Sequence, residues 1–153
     1  VVDMAYPTEG DPILAVEAKM LGTPAHLLAN GRRKPERGGV VDLDKRLKEV
    51  KYTPIDLKLK YAGTDIGHWS RWLKGARPKF YSLWACYLGV RELANAAAMI
   101  EKFRKLKEHY NDGVGVFFYA QREGEGYAPV HMPELDVFLV DDIVDQICRV
   151  VRR

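Results

Sequence analysis

Residues 114–120, with the sequence V-G-V-F-F-Y-A, constrain the fold most because they are almost entirely apolar. A run of this length and composition is typical of a β-strand that is buried on both faces. Residues 136–140, D-V-F-L-V, predict a second strand of the same kind. Strands of this type need covering layers above and below their sheet, so the sequence predicts an α/β fold with a central sheet between helices.

Helical spacing marks the first segment that would cover this sheet. Residues 41–52 have apolar positions at helical intervals, with Asp42 as the candidate N-cap and a break expected near Pro54. The following residues 55–61 alternate between apolar and polar, and this pattern fits a short strand or a resumed helix equally well. A covering helix is therefore expected after residue 40.

The second half of the chain is expected to contribute two more helices. Residues 80–110 have high helix propensity, end at N-D-G, and predict one long helix that includes Trp84 as a core residue. A closing helix is expected to start at Asp141 or Asp142. The order of elements is two strands, helices, and then strands with a helix, which predicts a mixed central β-sheet flanked by helices.

Three charged residues near the amino end carry the main functional signal. Residues 13–21, I-L-A-V-E-A-K-M-L, predict a strand in which Glu17 and Lys19 lie on one face, because they are two residues apart. Asp3 is the only acid of the preceding apolar run, and the residues between the two runs favour a turn. A hairpin symmetric about Gly10 would place Asp3 directly opposite Glu17, with their Cβ atoms about 4.5–5.5 Å apart.

The same register sorts the other side chains of the hairpin by face. The face opposite the charges would carry only apolar residues, namely Val2, Met4, Leu14, Val16 and Ala18. On the charged face, two close carboxylates repel one another unless a cation or a proton lies between them, and their oxygens suit Mg²⁺ or Mn²⁺. A lysine beside such an ion can orient or deprotonate water, or stabilise charge on a phosphate. The three residues therefore predict phosphodiester hydrolysis.

At these positions the sequence resembles the PD-(D/E)xK nuclease superfamily. The family core carries an acid on one strand and Glu-x-Lys on the next, as Asp3 and Glu17-Ala18-Lys19 stand here. The resemblance covers about the first twenty residues by motif. It implies a Mg²⁺-dependent DNA endonuclease with a restriction-endonuclease-like core, in which Asp3, Glu17 and Lys19 are catalytic. It also implies that Asp3, Glu17 and the backbone carbonyl of Ala18 are metal ligands, and that cleavage leaves a 5′-phosphate.

The chain departs from the family pattern in two places. Val2 stands where the family has a proline before the first acid, and the helix that usually precedes the first strand is missing, so the expected core lacks its first helix. An additional acidic ligand on that helix is therefore not carried over. Glu-x-Lys recurs at Glu49-Val50-Lys51, where the helical pattern favours a solvated surface over a second site.

A type II restriction endonuclease is the class that the resemblance favours. Cutting both strands of a duplex needs two such sites, so we expect a homodimer whose twofold axis mirrors a palindromic DNA site. A Holliday-junction or repair nuclease of the same superfamily is the alternative within this chemistry. Outside it, the alternatives are a non-catalytic nucleic-acid-binding module and a structural domain whose three charges protect an edge strand.

Two irregular segments hold candidate contacts to DNA. The segment 22–39 contains a basic cluster, and the segment 63–78 mixes cations with tryptophans, which can stack on bases. The candidate nucleic-acid-binding residues are Arg32, Arg33, Lys34 and Arg37 in the first segment and Arg71, Lys74 and Arg77 in the second. An ordinary solvated loop is an equally good interpretation of the first cluster.

Composition sets the outer limits of these interpretations. A chain of 153 residues with 47% hydrophobic content fits one domain over residues 1–153, and a net charge of +3 permits nucleic-acid binding without requiring it. Cys86 and Cys148 form no metal-binding pattern, so we expect free thiols in the cytoplasm, and no apolar run is long enough for a membrane helix. The absence of both glycine-rich phosphate-binding motifs argues against nucleotide binding. Because the chain starts at Val1, already inside an apparent strand, we expect it to be part of a longer protein.

Overall fold

A mixed β-sheet lies at the centre of the protein. The computed structural model describes residues 2–62, 76–89, 93–122 and 126–152. Within these ranges the strands are β1 (Met4–Tyr6), β2 (Leu14–Leu21), β3 (His26–Leu27), β4 (Arg33–Lys34), β5 (Lys79–Tyr87), β6 (Gly113–Arg122) and β7 (Gly126–Pro129). Five of them form one sheet in the order β1-β2-β5-β6-β7, and β3 and β4 form a separate two-stranded ribbon. The central strands β2, β5 and β6 are parallel, and the edge strands β1 and β7 pair antiparallel.

Helices cover both faces of this sheet. Within the described ranges they are α1 (Val40–Ala62), α2 (Ala96–His109) and α3 (Val140–Val151), with 3₁₀ turns at Leu93–Asn95 and Pro133–Phe138. α1 and α2 pack on one face, where Leu47 and Phe103 share a core with Trp84, and α3 packs on the other face through Ile143 and Ile147. None of these described helices combines the length and apolar character needed to cross a bilayer. The prediction of an α/β fold with a mixed central sheet flanked by helices is confirmed.

A glycine in β6 lets α3 approach the sheet closely. A Cβ atom on Gly115 would lie 2.9 Å from Cδ2 of Leu83 and 3.3 Å from Cα of Val140. Both distances are too short for ordinary van der Waals contact, so any larger residue would push the helix away from the strand. The neighbouring Val114 and Val116 fall on the opposite face and join the core under α1 and α2. In the G-V-G-V segment, the glycine side of β6 therefore faces α3, and the valine side faces α1 and α2.

The long helix predicted over residues 80–110 is wrong in its first part. Lys79–Tyr87 is the central strand β5, and the helix starts only at Ala96. The segment F-Y-S-L-W-A-C-Y is rich in aromatic residues, which favour a pleated and buried environment. Its neighbours β2 and β6 pair with it along most of its length. Trp84 is 1% exposed, so its assignment to the core is confirmed although it lies on a strand.

α1 continues through Pro54, where the sequence predicted a break. Proline removes one intrahelical hydrogen bond and crowds the preceding turn. Here the helix is held on both sides of the proline, because Val50 before it and Leu57 after it pack against the core. Residues 55–61 are therefore helical, and Asp42 lies inside the first turn and not at the N-cap.

The strand predicted at residues 136–140 is also wrong. Pro133–Phe138 is a 3₁₀ turn that leads into α3. Leu135 and Phe138, three residues apart, are both buried, and this is the spacing of a helical turn. The closing helix itself begins at Val140, close to its predicted start.

Candidate active site

The amino-terminal hairpin has the predicted register over the pairs of its ladder, which do not include Asp3 and Glu17. β1 and β2 pair antiparallel, and Gly10, with a φ of +82°, lies in the turn between them. Met4 opposite Val16 is the pair of this ladder nearest the amino end. Asp3 lies one residue further out, and its amide donates to the carbonyl of Val16 at 3.2 Å. The hairpin thus brings Asp3 to the part of β2 that carries the Glu-x-Lys tripeptide.

The Asp3 carboxylate lies against the backbone of Ala18, the middle residue of that tripeptide. Its Oδ2 accepts a hydrogen bond from the amide of Ala18 at 2.7 Å. In an extended strand the N–H and C=O of one residue point toward the same neighbouring strand. The carbonyl of Ala18 therefore faces the same edge as the Asp3 side chain, beyond the end of β1. Asp3 and Ala18 are both exposed, so this edge is open to solvent.

Glu17 and Lys19 form an ion pair on one face of β2. Glu17 is 1% exposed, and its Oε1 contacts Nζ of Lys19. Its other oxygen, Oε2, is buried and has no hydrogen-bond partner among the described residues. Burial of a carboxylate oxygen without a partner costs free energy. The chemistry of this oxygen calls for a cation, a proton or a water molecule beside it.

Carboxylate and carbonyl oxygens, the donors that hard divalent cations prefer, occur near the end of β1. Asp3 and Glu17 offer carboxylates, and Ala18 offers a backbone carbonyl on the side of Asp3. Mg²⁺ commonly binds proteins through one or two carboxylates, with water and substrate phosphate in its other positions. Within the described ranges, no group of three or more His, Cys, Asp or Glu side chains could hold a metal ion. The chemistry of these oxygen donors suits Mg²⁺ better than zinc, which prefers Cys and His ligands in structural sites.

A charged pair on α1 belongs to the electrostatic surroundings of the site. Arg46 donates to Glu49 at 2.8 Å, and this bond raises the pKa of Arg46, to which the charge of Glu17 adds a smaller part. The same bond lowers the pKa of Glu49, with a smaller contribution from Lys19. α1 also packs against β2, the strand that carries Glu17 and Lys19. The sequence predicted only a solvated surface at Glu49 and did not predict that Glu49 lies near β2. The available signal was Leu47, a buried residue of the same helix turn, which indicates that α1 packs on the sheet.

The first set of predicted DNA contacts lies on the ribbon of β3 and β4. Arg32, Arg33 and Lys34 are exposed there, a few residues after the end of β2. Arg37 is also exposed, but its guanidinium donates to Oδ1 of Asp42 at 2.7 Å. Three of the four cations are therefore available for a ligand, and the fourth ties the base of the ribbon to α1.

Of the second set of predicted DNA contacts, Arg77 is the one that lies within the described residues, and it is not brought to this place. Arg77 is exposed and precedes β5, whose first residue pairs with Leu14 at the start of β2. Arg77 therefore lies toward the opposite end of β2 from Lys19. The positions Arg71 and Lys74 lie outside the described residues.

The apolar face predicted for the hairpin is only partly covered. Leu14 and Val16 pack under α3, as predicted. Met4 is 48% exposed, Ala18 is exposed as well, and Val2 packs against the core under α1 and α2, so the prediction is wrong for these three. Met4 and Ala18 are exposed because α3 covers only the first half of this face, and Val2 lies beyond Met4, where the ladder ends and the strand alternation no longer sets its face. Over the second half of this hairpin face, at the carboxyl ends of β2, β5 and β6, a mostly apolar groove of about 1070 Å³ remains open.

Comparisons with known proteins give no match to this chain. No protein-family model matches, and neither the curated proteins nor the solved structures include a match. The hairpin, with its three charged residues and their surroundings, is therefore the part of the chain that indicates a function.

Proposed function

We propose that the chain is a Mg²⁺-dependent DNA endonuclease with a restriction-endonuclease-like core, and that Asp3, Glu17 and Lys19 form its active site. One observation carries this proposal. Glu17 is buried with one oxygen on Lys19 and the other without a described partner, next to the strand edge at which Asp3 lies. A cation at the second oxygen would stabilise this carboxylate. Type II restriction endonucleases are the class that the arrangement resembles.

The carboxylates of Asp3 and Glu17 and the carbonyl of Ala18 would hold the ion, with Mn²⁺ as the alternative to Mg²⁺. When bound, the ion supplies Lewis-acid stabilisation of the negative charge that develops on the scissile phosphate. The Ala18 amide orients Asp3 through Oδ2, and Lys19 orients Glu17 through Oε1. Both carboxylates are thus positioned before a substrate binds, which lowers the cost of assembling the site.

Lys19 has a second role in this proposal. Its side chain, whose ammonium group contacts Glu17, is 17% exposed, so part of it is accessible to a substrate. A cation at this place stabilises charge on the phosphate in the transition state and orients the attacking water. The water oxygen forms a bond to phosphorus and the bond to the 3′ oxygen breaks. The products then carry a 5′-phosphate and a 3′-hydroxyl group.

Duplex DNA is the proposed partner, and the cytoplasm is the proposed compartment. The exposed cations Arg32, Arg33 and Lys34 lie close in sequence to the active-site strand, and phosphate attraction supplies most of the non-specific affinity for DNA. One active site cuts one strand, so a homodimer is proposed for double-strand cutting. Cys86 and Cys148 are both free thiols, which supports a reducing compartment.

A DNA cleavage assay tests the proposal. The substrates are a supercoiled plasmid and an end-labelled linear duplex, each in Mg²⁺, Mn²⁺ or EDTA. We expect ion-dependent cutting with 5′-phosphate ends that a ligase can rejoin, and a rate at least about 100-fold lower for Glu17→Gln. Glu101→Gln is the matched control, because Glu101 lies on the exposed surface of α2 next to Lys105, and it should cut like wild type. Cutting that persists in EDTA, or a wild-type rate for Glu17→Gln, would contradict the proposal.

Two other outcomes would reassign the function. A preference for four-way DNA over linear duplex would favour a junction-resolving or repair nuclease of the same chemistry. DNA binding that is unchanged in Asp3→Asn and Lys19→Ala, without any ion-dependent cutting, would favour a non-catalytic nucleic-acid-binding module.

A further inference from the structure

The ribbon of β3 and β4 stands apart from the main sheet. Its strands pair antiparallel, and every residue from 26 to 37 is exposed. Its turn is closed by backbone hydrogen bonds of 2.9 Å, from Leu28 to the carbonyl of Arg32 and from Gly31 to the carbonyl of Leu28. An isolated two-stranded ribbon is only marginally stable in water. Its position must therefore be held from its base.

Contacts at the base of the ribbon fix its direction. Thr23 and Arg37 exchange backbone hydrogen bonds of 2.7 and 2.8 Å just outside the two strands. The Arg37 side chain donates to Asp42 of α1 at 2.7 Å, and the Tyr87 hydroxyl of β5 donates to Glu36 at 3.0 Å. Because these two contacts reach a helix and the central sheet, the base is attached to the body of the protein. The tip of the ribbon extends into solvent in a defined direction.

Cations occur on both faces of the ribbon. Leu27 pairs with Arg33 and His26 pairs with Lys34. Successive residues of a strand point to opposite faces, so Arg33 and Lys34 lie on different faces. An acidic protein surface would be matched by one charged face. The groove of a nucleic-acid duplex has a phosphate backbone on each wall, and this matches a ribbon with cations on both faces.

We infer that this ribbon enters the major groove of double-stranded DNA and contacts the phosphates on both walls. The inference rests on the proposed function, which makes duplex DNA the substrate. The major groove of B-DNA is about 12 Å wide and admits a two-stranded ribbon, whereas that of duplex RNA is too deep and narrow for side chains to read.

The distance from the ribbon to the active site limits the DNA footprint. The turn of the ribbon begins at Leu28, nine residues after Lys19. Nine extended residues span at most about 30 Å, which is about nine base pairs of B-DNA. The bases protected by the ribbon should therefore lie within about nine base pairs of the cut.

A DNA-binding assay tests the inference. Fluorescence anisotropy measures binding of the full chain to a labelled 30-base-pair duplex, in EDTA and over a range of salt concentrations. The ribbon variant carries Arg32→Ala, Arg33→Ala and Lys34→Ala. If each residue contacts one phosphate, the slope of log K against log salt becomes shallower by about 2.7. Between 50 and 200 mM salt, wild-type affinity should then fall about 40-fold more than the affinity of the ribbon variant. Equal slopes for the two proteins would overturn the inference.

Two further variants control for charge and for folding. The combination of Lys105→Ala, Arg149→Ala and Arg152→Ala removes three cations from exposed positions on α2 and at the end of α3, and it should keep the wild-type slope. The combination of Arg32→Lys and Arg33→Lys keeps the charge of the ribbon, and its slope should also be that of wild type. A slope reduced equally in the α2 and α3 variant would show a general charge effect and overturn the inference.

The choice of groove is tested with modified nucleic acids. Methylation of guanine N7, an atom in the major groove, should weaken wild-type binding, and a ligand that occupies the minor groove should not. Duplex RNA and single-stranded DNA of the same sequence should bind equally to wild type and the ribbon variant. Binding of RNA that depends on the ribbon, or insensitivity to N7 methylation, would overturn the inference.

The inference and the proposed function fail separately, because binding is measured without divalent ions. If Glu17→Gln abolishes cutting while the ribbon variant binds DNA like wild type, the inference about the ribbon is wrong and the active site stands. If the ribbon variant shows the expected shallower slope while wild type never cuts, the inference stands and the nuclease proposal is wrong. Absence of duplex binding by wild type overturns the inference.

Discussion

Divalent ions should stabilise the folded protein through Asp3 and Glu17, by an amount that follows from linkage. An ion that binds only the folded state adds RT ln(1 + [L]/Kd) to the free energy of unfolding. At a Mg²⁺ concentration ten times its Kd, this gain is about 1.4 kcal/mol. For a chain of 153 residues the gain corresponds to a rise in Tm of about 3–6 °C.

Variants of acidic residues separate this effect from a general response to salt. Glu17→Gln keeps the volume of the side chain and removes its charge, so the rise in Tm with Mg²⁺ should disappear. Asp3→Asn should reduce it, because one of the two carboxylates is lost. Asp44→Asn is the control, since Asp44 is an exposed acid of α1 whose carboxylate contacts Lys102 of α2 at 2.6 Å. It should keep the full wild-type rise.

Lys19→Met removes a positive charge from the same site, whereas the preceding site variants remove negative charges. The variant leaves the buried Glu17 carboxylate without its cation, and breaking a buried pair in this way costs about 3–5 kcal/mol. The lower end of this range is expected because the Lys19 side chain is 17% exposed. Mg²⁺ should then raise the Tm of Lys19→Met more than that of wild type, because the ion replaces the missing charge.

Thermal unfolding followed by circular dichroism, in EDTA and in Mg²⁺, measures all of these effects. If Glu17→Gln keeps the wild-type rise in Tm, the ion binds elsewhere and not at Glu17. If Lys19→Met is as stable as wild type in EDTA, Glu17 does not depend on a nearby cation. Either result would contradict an ion site at these residues.

Three further predictions concern other parts of the structure. Burial, and to a smaller extent a hydrogen bond to a carboxylate, raises the pKa of Tyr87 to about 12. As pH rises, the unfolded state loses the phenolic proton before the folded state does, so the free energy of unfolding should fall between about pH 10 and 12. Urea unfolding of Tyr87→Phe over this pH range should show a smaller fall. Burial raises the pKa of the Cys86 thiol, so a thiol reagent at pH 8 should label Cys148 in the folded protein and both thiols only after unfolding. Asp112 contacts the fully buried Lys58 at 2.8 Å, so Asp112→Asn should lower the free energy of unfolding by about 3 kcal/mol in the same urea titration.

The hairpin could be predicted from the sequence because its signals are local. Gly10 marks the turn, and the alternation along β2 fixes the register, since a slip by one residue would exchange its two faces. The contact of Asp3 with Ala18 could not be predicted in this way. The ladder ends at Met4, and a side-chain oxygen takes the place of a backbone partner only because β1 stops there.

The strand β5 shows where local pattern fails. A strand buried on both faces lacks the alternation that distinguishes a strand from a helix. Its one small polar residue within the segment, Ser82, accepts hydrogen bonds from Trp84 at 2.9 Å and from Asn111 at 2.7 Å. The second of these partners is 29 residues away in the sequence. Such contacts form only when the sheet is assembled, so spacing within the segment does not reveal them.

The position of α1 beside the active site is also a tertiary property. Arg46 and Glu49 have the spacing of an ordinary surface ion pair, and their local sequence does not show which strand of the sheet lies beside them. Their proximity follows from the packing of the buried side of α1 against the sheet. For this reason the acids of the hairpin could be predicted from the sequence, whereas the position of Arg46 and Glu49 beside them could not.

The most direct test of the central claim is single-turnover cleavage of duplex DNA by wild type and by Lys19→Met, each in Mg²⁺ and in EDTA. We predict that wild type cuts only in Mg²⁺, and that Lys19→Met cuts at least about 100-fold more slowly while it stays folded in Mg²⁺ and binds DNA. Equal cleavage rates for the two proteins in Mg²⁺, or no ion-dependent cutting by wild type, would contradict the assignment of Asp3, Glu17 and Lys19 as a nuclease active site.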